Sequence, residues 1–172
     1  MDKNKKTNST SDKEIKVIQN IAAELLQEDK FLASVAFVYT KKQNVILDIV
    51  EEFSSEEKKS EFIPQFSEKL LEEGANRVIF LRESVNWTPP KEMSKKEANE
   101  IKDKKLDSIY FQKQEIISML DITKDYAVEY KIPFDREDPG TDKEKINIGK
   151  PKKTSIELEE FKPIQLSLKL VR

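Results

Sequence analysis

Apolar and polar positions along the chain follow two different periods, and the changes between them mark its elements. Ile15, Ile18, Ala22, Leu25 and Leu26 recur at spacings of three and four, with Ile21 widening the stripe and Val17 falling outside it. That is one face of an amphipathic helix. Ser11-Asp12-Lys13-Glu14 has the form of a capping box, so the spacing predicts a helix that starts at Ser11. Upstream, residues 1–10 are polar and rich in Lys, Asn, Ser and Thr, a composition expected to stay a disordered tail. Phe31 to Tyr39 and Val45 to Val50 are rich in β-branched and aromatic residues, and Lys41-Lys42-Gln43-Asn44 separates them, which predicts a hairpin. Ser54-Ser55-Glu56-Glu57 repeats the capping logic. It opens a second amphipathic helix with Phe62, Ile63, Phe66, Leu70 and Leu71 inside and Gly74 placed to end it. Pro64 predicts a kink near Glu61, or a helix that begins there.

Next come Val78-Ile79-Phe80-Leu81, four consecutive apolar residues between Gly74 and Pro89-Pro90. They read as a strand buried on both faces that turns polar at Arg82-Glu83 and reaches the only Trp, Trp87. A polar excursion near 88–112 follows, with a third capping box at Ser94-Lys95-Lys96-Glu97. Gln114 to Thr123 and Tyr126 to Phe134 then flank Lys124-Asp125 as a second hairpin. The second arm alternates, and Pro133 predicts an edge position or a strand end for it. The charged stretch 135–160 reads as a long loop. Ile164, Leu166, Leu168 and Leu170 alternate with polar residues, which predicts a last strand. Together these segments predict one α+β domain over 11–172: a mostly antiparallel twisted sheet of five or six strands with two main helices packed on it.

Composition narrows the chemistry. Among 172 residues, 31 basic and 33 acidic side chains leave a net charge of -2, so no global field draws in nucleic acid, and a nucleic-acid partner is not expected. The chain has neither Cys nor His. Thiolate and imidazole metal sites, Cys nucleophiles and the usual neutral-pH general base are therefore excluded, and a cytoplasmic setting is expected. No stretch has the length and apolarity of a membrane span, and no cofactor motif is present: Gly149-Lys150-Pro151 lacks the partner glycine and hydroxyl of a phosphate loop.

Three candidate sites remain. Arg82, Glu83, Asn86 and Trp87 could form a small-ligand site at the polar end of the central strand, with Trp87 as a stacking platform; the plainer reading is a packed Trp and an ion-paired Glu. Asp48, Glu51 and Glu83 could hold Mg²⁺ for a carboxylate-site hydrolase or nuclease, since hard cations need only oxygen ligands. Asp121 with Glu129-Tyr130-Lys131 has the wording of a nuclease motif, against the plainer reading of solvated acids beside apolar strands. The Lys clusters at 95–96, 102–105 and 150–153 are interleaved with acids or lack aromatics, and read as solvated faces. The third candidate is an edge strand, at Tyr126 to Phe134 or Ile164 to Val171, that pairs with a protein partner or a second copy. A non-enzymatic interaction or regulatory module is the expected function.

The order helix, hairpin, helix, then a strand ending Arg82-Glu83-Ser84-Val85, resembles a group of small uncharacterised bacterial proteins in which that strand ends Ser-Glu-Ala-Trp. Here the Glu is kept, Val85 takes the Trp position and Trp87 follows. The resemblance spans roughly Ile15 to Phe134 and implies an α+β fold of bacterial or phage source, with no activity attached.

Overall fold

A computed structural model of the chain describes residues 4–50, 56–89, 93–97, 100, 112–156 and 159–171. The elements are α1 (Asn4–Asp29), β1 (Val35–Thr40), β2 (Val45–Ile49), α2 (Glu56–Glu72), β3 (Ala75–Thr88), β4 (Gln112–Thr123), β5 (Ala127–Glu137), β6 (Lys145–Ile148), β7 (Lys152–Ser155) and α3 (Lys162–Leu170). Every strand pair is antiparallel, in the order β2-β1-β3-β4-β5-β6, and β7 also pairs with β5. This is the α+β antiparallel sheet that the pattern predicts, with seven strands among the described residues rather than five or six.

The central strand explains the layers. Val78 and Phe80 point into a core shared with Ile63, Phe66 and Leu70 of α2 and Ile164 and Leu168 of α3. Ile79 and Leu81 point the other way, into a core shared with Ile15, Ile18, Ala22 and Leu26 of α1. All four are buried, so a continuous apolar run was the correct mark of a strand covered on both faces. Helices lie on both sides of the sheet, α2 and α3 on one and α1 on the other.

Local chemistry sets several boundaries. Gly74 takes φ +65 and donates to the Leu71 carbonyl at 3.2 Å, ending α2 as expected. α2 runs without a break from Glu56 through Pro64 to Glu72, so it does not begin at Glu61. Ser94 and Glu97 make both reciprocal bonds of the third capping box, at 3.2 and 3.4 Å.

Five expectations are corrected. α1 begins at Asn4, so residues 4–10 are helical and not a disordered tail; no Gly or Pro interrupts them, and the Ser11 box lies inside the helix. β1 begins at Val35 rather than Phe31, because Lys30 at φ 60 turns the chain out of α1 and residues 31–34 form the connection. The stretch 135–160 carries β6 and β7 and the end of β5, so it is not one long loop. β5 is not an edge strand: β7 pairs with residues 128–131 and β6 with 134–137. Pro133, with no N–H to give, sits where the neighbour changes, and its carbonyl accepts from the Gly149 amide at 2.7 Å. Finally, Ile164 to Leu170 is helix α3. Its buried positions are Ile164, Ser167 and Leu168, a helical spacing, whereas Leu166 and Leu170 are exposed.

Candidate interaction surface

The pleat of β3 separates the four residues of the expected ligand site. Glu83 and Trp87 share the α1 side with Ile79 and Leu81, while Arg82 and Asn86 share the α2 side with Val78 and Phe80. Glu83 is committed locally: its carboxylate accepts the Leu32 amide at 2.8 Å and faces the Arg136 guanidinium at 3.7 Å. Burial raises its pKa, and the Leu32 amide and Arg136 oppose that rise. Asn86 accepts from Lys131 at 3.4 Å. Trp87 lies two residues beyond Val85 on the same strand face and is half-buried.

The carboxylates of the expected metal site do not meet. Asp48 lies on the α2 side, bound to Lys69 at 2.6 and 2.9 Å, and Glu83 lies on the opposite face; Glu51 is outside the described residues. No group of three or more potential metal ligands occurs among the described residues. The nuclease wording fails for the same reason. Asp121 is on the α1 side opposite Ile79, whereas Glu129 and Lys131 are on the other, where Glu129 accepts from Ser118 at 2.9 Å.

Two charged hubs, not anticipated as such, hold α1 and its exit in place. Arg77 donates from Nε and Nη2 to Asp121 at 2.8 and 2.9 Å, from Nη1 to Glu14, and lies over the Tyr39 ring at 5.6 Å. Burial alone lowers the Arg77 pKa, but the Asp121 hydrogen bonds and charge reverse this and raise it. At the other end, Arg136 meets Glu115, Glu83 and Glu144 and donates to the Lys30 carbonyl at 2.9 Å.

These anchors lay α1 over β3 to β6, with β1 only partly covered and Val45 and Leu47 of β2 exposed on that side. Gln27 donates to the Ile146 carbonyl of β6 at 2.5 Å. At 3.6 residues per turn, Ile21 falls on the other side of the buried stripe from Gln27, on the flank toward β1 and β2. Glu14, which reaches Arg77 beside Tyr39 of β1, lies on that same flank. The flank carries Val17, Ile21 and Leu25, each four residues from the next and each exposed. It borders the half-buried Val35, Phe37 and Tyr39 of β1 and their cross-strand neighbours Val45 and Leu47 of β2, with Phe31 between α1 and β1. Val17, Ile21, Leu25, Phe31, Val45 and Leu47 are between 39% and 62% exposed, and they are six of the ten large exposed apolar residues among those described. Isolated exposed apolar residues are ordinary, but several on one side of the sheet, from α1, the linker and β2, make this the candidate surface.

The signal for this face was present in the sequence. Val17 lies off the buried stripe of α1, and Ile21 makes the stripe wider than a single core contact requires. Compared with family models, with curated proteins and with solved structures, the chain finds no match.

Proposed function

We propose that this chain is a non-enzymatic protein-interaction or regulatory module that takes its partner on the α1 side of β1 and β2. The observation that carries the reading is that Val17, Ile21 and Leu25 on one flank of α1, Phe31 in the linker, and Val45 and Leu47 on the α1 side of β2 are all exposed. The two strands span about 10 Å, the width of one helix, so the helix layer on this side has room for one more element beside α1. The lack of Cys agrees with a cytoplasmic setting.

Magnitudes bound the strength of such binding. Six side chains at these exposures leave roughly 600 Å² of apolar surface open, at the upper end of what one protein shows. At about 25 cal/mol per Å², covering it yields roughly 15 kcal/mol. Association costs about 4–15 kcal/mol, so the expected contact is reversible rather than permanent.

Ile21→Glu with Leu47→Lys should reduce binding of an environment-sensitive apolar dye several-fold while leaving the urea midpoint unchanged. Used as paired baits, wild type and variant should differ in retention of one specific protein. Equal dye binding and equal retention by the two baits would refute the reading.

A further inference from the structure

Among the described residues the sheet has two free edges, and they are built differently. One is shared by β6 and β7, which are short and carry Lys145, Lys152 and Lys153, with Gly149-Lys150-Pro151 between them. Short strands, lysines and an interposed proline are the ordinary guards against edge-to-edge pairing. The other edge is β2, Val45-Ile46-Leu47-Asp48-Ile49, which has no Lys, Pro or Gly, and whose Val45 and Leu47 side chains are exposed.

The phase of the β1–β2 ladder fixes which groups of β2 face outward. Thr40 donates to the Asn44 carbonyl at 3.0 Å and Val50 donates to the Ser34 carbonyl at 2.9 Å, so positions 44, 46, 48 and 50 turn their backbone groups toward β1. Alternation then turns the N–H and C=O of Val45, Leu47 and Ile49 toward the open edge. Those outward groups are symmetric about Leu47, the middle residue of the strand.

We infer that β2 pairs antiparallel with β2 of a second copy about a two-fold axis at Leu47, so that Leu47 meets Leu47 and Val45 meets Ile49. This register alone uses all the outward backbone groups of the strand, each of the three pairs exchanging both its N–H···O bonds. Side chains agree with it. The two exposed Leu47 residues meet on the α1 face, next to Val45. On the opposite face Asp48 falls opposite Ile46 of the other copy, and its charge is already met by Lys69 at 2.6 Å. The sheet becomes continuous through both copies. The two partly covered β1–β2 faces then join into one apolar trough walled on each side by Val17, Ile21 and Leu25 of an α1 helix.

This pairing goes beyond the docking face, because it depends on the main chain of β2 rather than on the α1 flank, and the two are separable by experiment. Sedimentation of the full chain over a concentration series should show a dimer of twice 20.1 kDa at the upper end. With no native Cys, single replacements report the register. Leu47→Cys brings its two copies to a Cα separation of about 5.5 Å, within disulfide range, and should cross-link on oxidation. Val45→Cys alone sits about 14 Å from its symmetry mate and should not, but should cross-link when mixed with Ile49→Cys. Leu47→Pro removes only an outward N–H, so it should leave a folded monomer; Leu47→Lys, a charged guard at the same position, should also be monomeric. Ile21→Glu should lower dye binding without changing the mass. A monomer at every concentration, equal cross-linking by Val45→Cys and Leu47→Cys alone, or a dimer that survives both Leu47 variants would overturn the pairing.

Discussion

Individual ionisable residues here help hold the fold, and Glu83 shows it most directly. A carboxylate that faces an arginine would ordinarily have a lowered pKa, yet burial against the α1 exit outweighs Arg136 and raises it above the ordinary 4.5. The fold therefore favours the protonated form. Its contribution to stability is fully present below 4.5 and is lost as pH rises through the raised value. Glu83→Gln keeps an acceptor for the Leu32 amide but cannot ionise. Urea unfolding between pH 4 and pH 7 should show the variant gaining on wild type as pH rises; a pH-independent difference would refute this account. Arg77 makes the opposite case. Its side chain and that of Asp121 are 9% and 1% exposed, so each depends on the other to avoid an unpaired buried charge.

At the scale of elements, α3 tests how far periodicity can be trusted. In Ile164-Gln165-Leu166-Ser167-Leu168-Lys169-Leu170 a period of two and a period of 3.6 share Ile164 and Leu168, and a short segment cannot separate them. Pro163 at the second helical position and Phe161 one turn earlier were the deciding signs, since that proline needs no intrahelical N–H partner and Phe161 is buried with Ile164. The two patterns predict different mutants. Ile164→Ala, at a fully buried site, should cost about 2–5 kcal/mol. Leu166→Ala, 58% exposed, should stay within about 0.5 kcal/mol, and chemical denaturation of both reads the difference. Deleting the chain from Ile164 onward should likewise destabilise it. Elsewhere local rules sufficed: Gly74, the Lys41–Asn44 turn, the Lys124-Asp125 turn and the Val78–Leu81 strand stand where the pattern puts them. Patterning failed where long-range partners decide, as with Glu14, drawn from its expected capping role to a buried Arg77. The candidate site was half legible. Val17 fell outside the buried stripe and Ile21 widened it in the sequence, but only the topology shows that β2 lies at an edge, beyond the core that α1 shares with β1.

For the whole molecule, charge and the open face act against each other. Helices cover the sheet on both sides, yet on the α1 side apolar side chains of α1 and β2 stay exposed, and among the described residues no helix is long and apolar enough to cross a membrane. What limits indiscriminate contact between such faces is repulsion between like-charged molecules, and here that repulsion is small: the net charge is -2 and the sequence pI about 5.5. With no His, nothing titrates in bulk between the carboxylates and the amines, so net charge is nearly flat across neutral pH and collapses only as carboxylates protonate. Association through the face should therefore vary little from about pH 6.5 to 8.5 and rise modestly near pH 5.5, giving assemblies heavier than a β2-paired dimer. Light scattering against pH checks this. The variant Val17→Gln/Ile21→Gln/Leu25→Gln changes no charge, so its pI is unaltered, and it should lose most of the rise near pH 5.5 while any β2 pairing persists. If the variant associates as wild type does, the low-pH assembly is driven by surface other than the α1 flank and that flank is not a docking face.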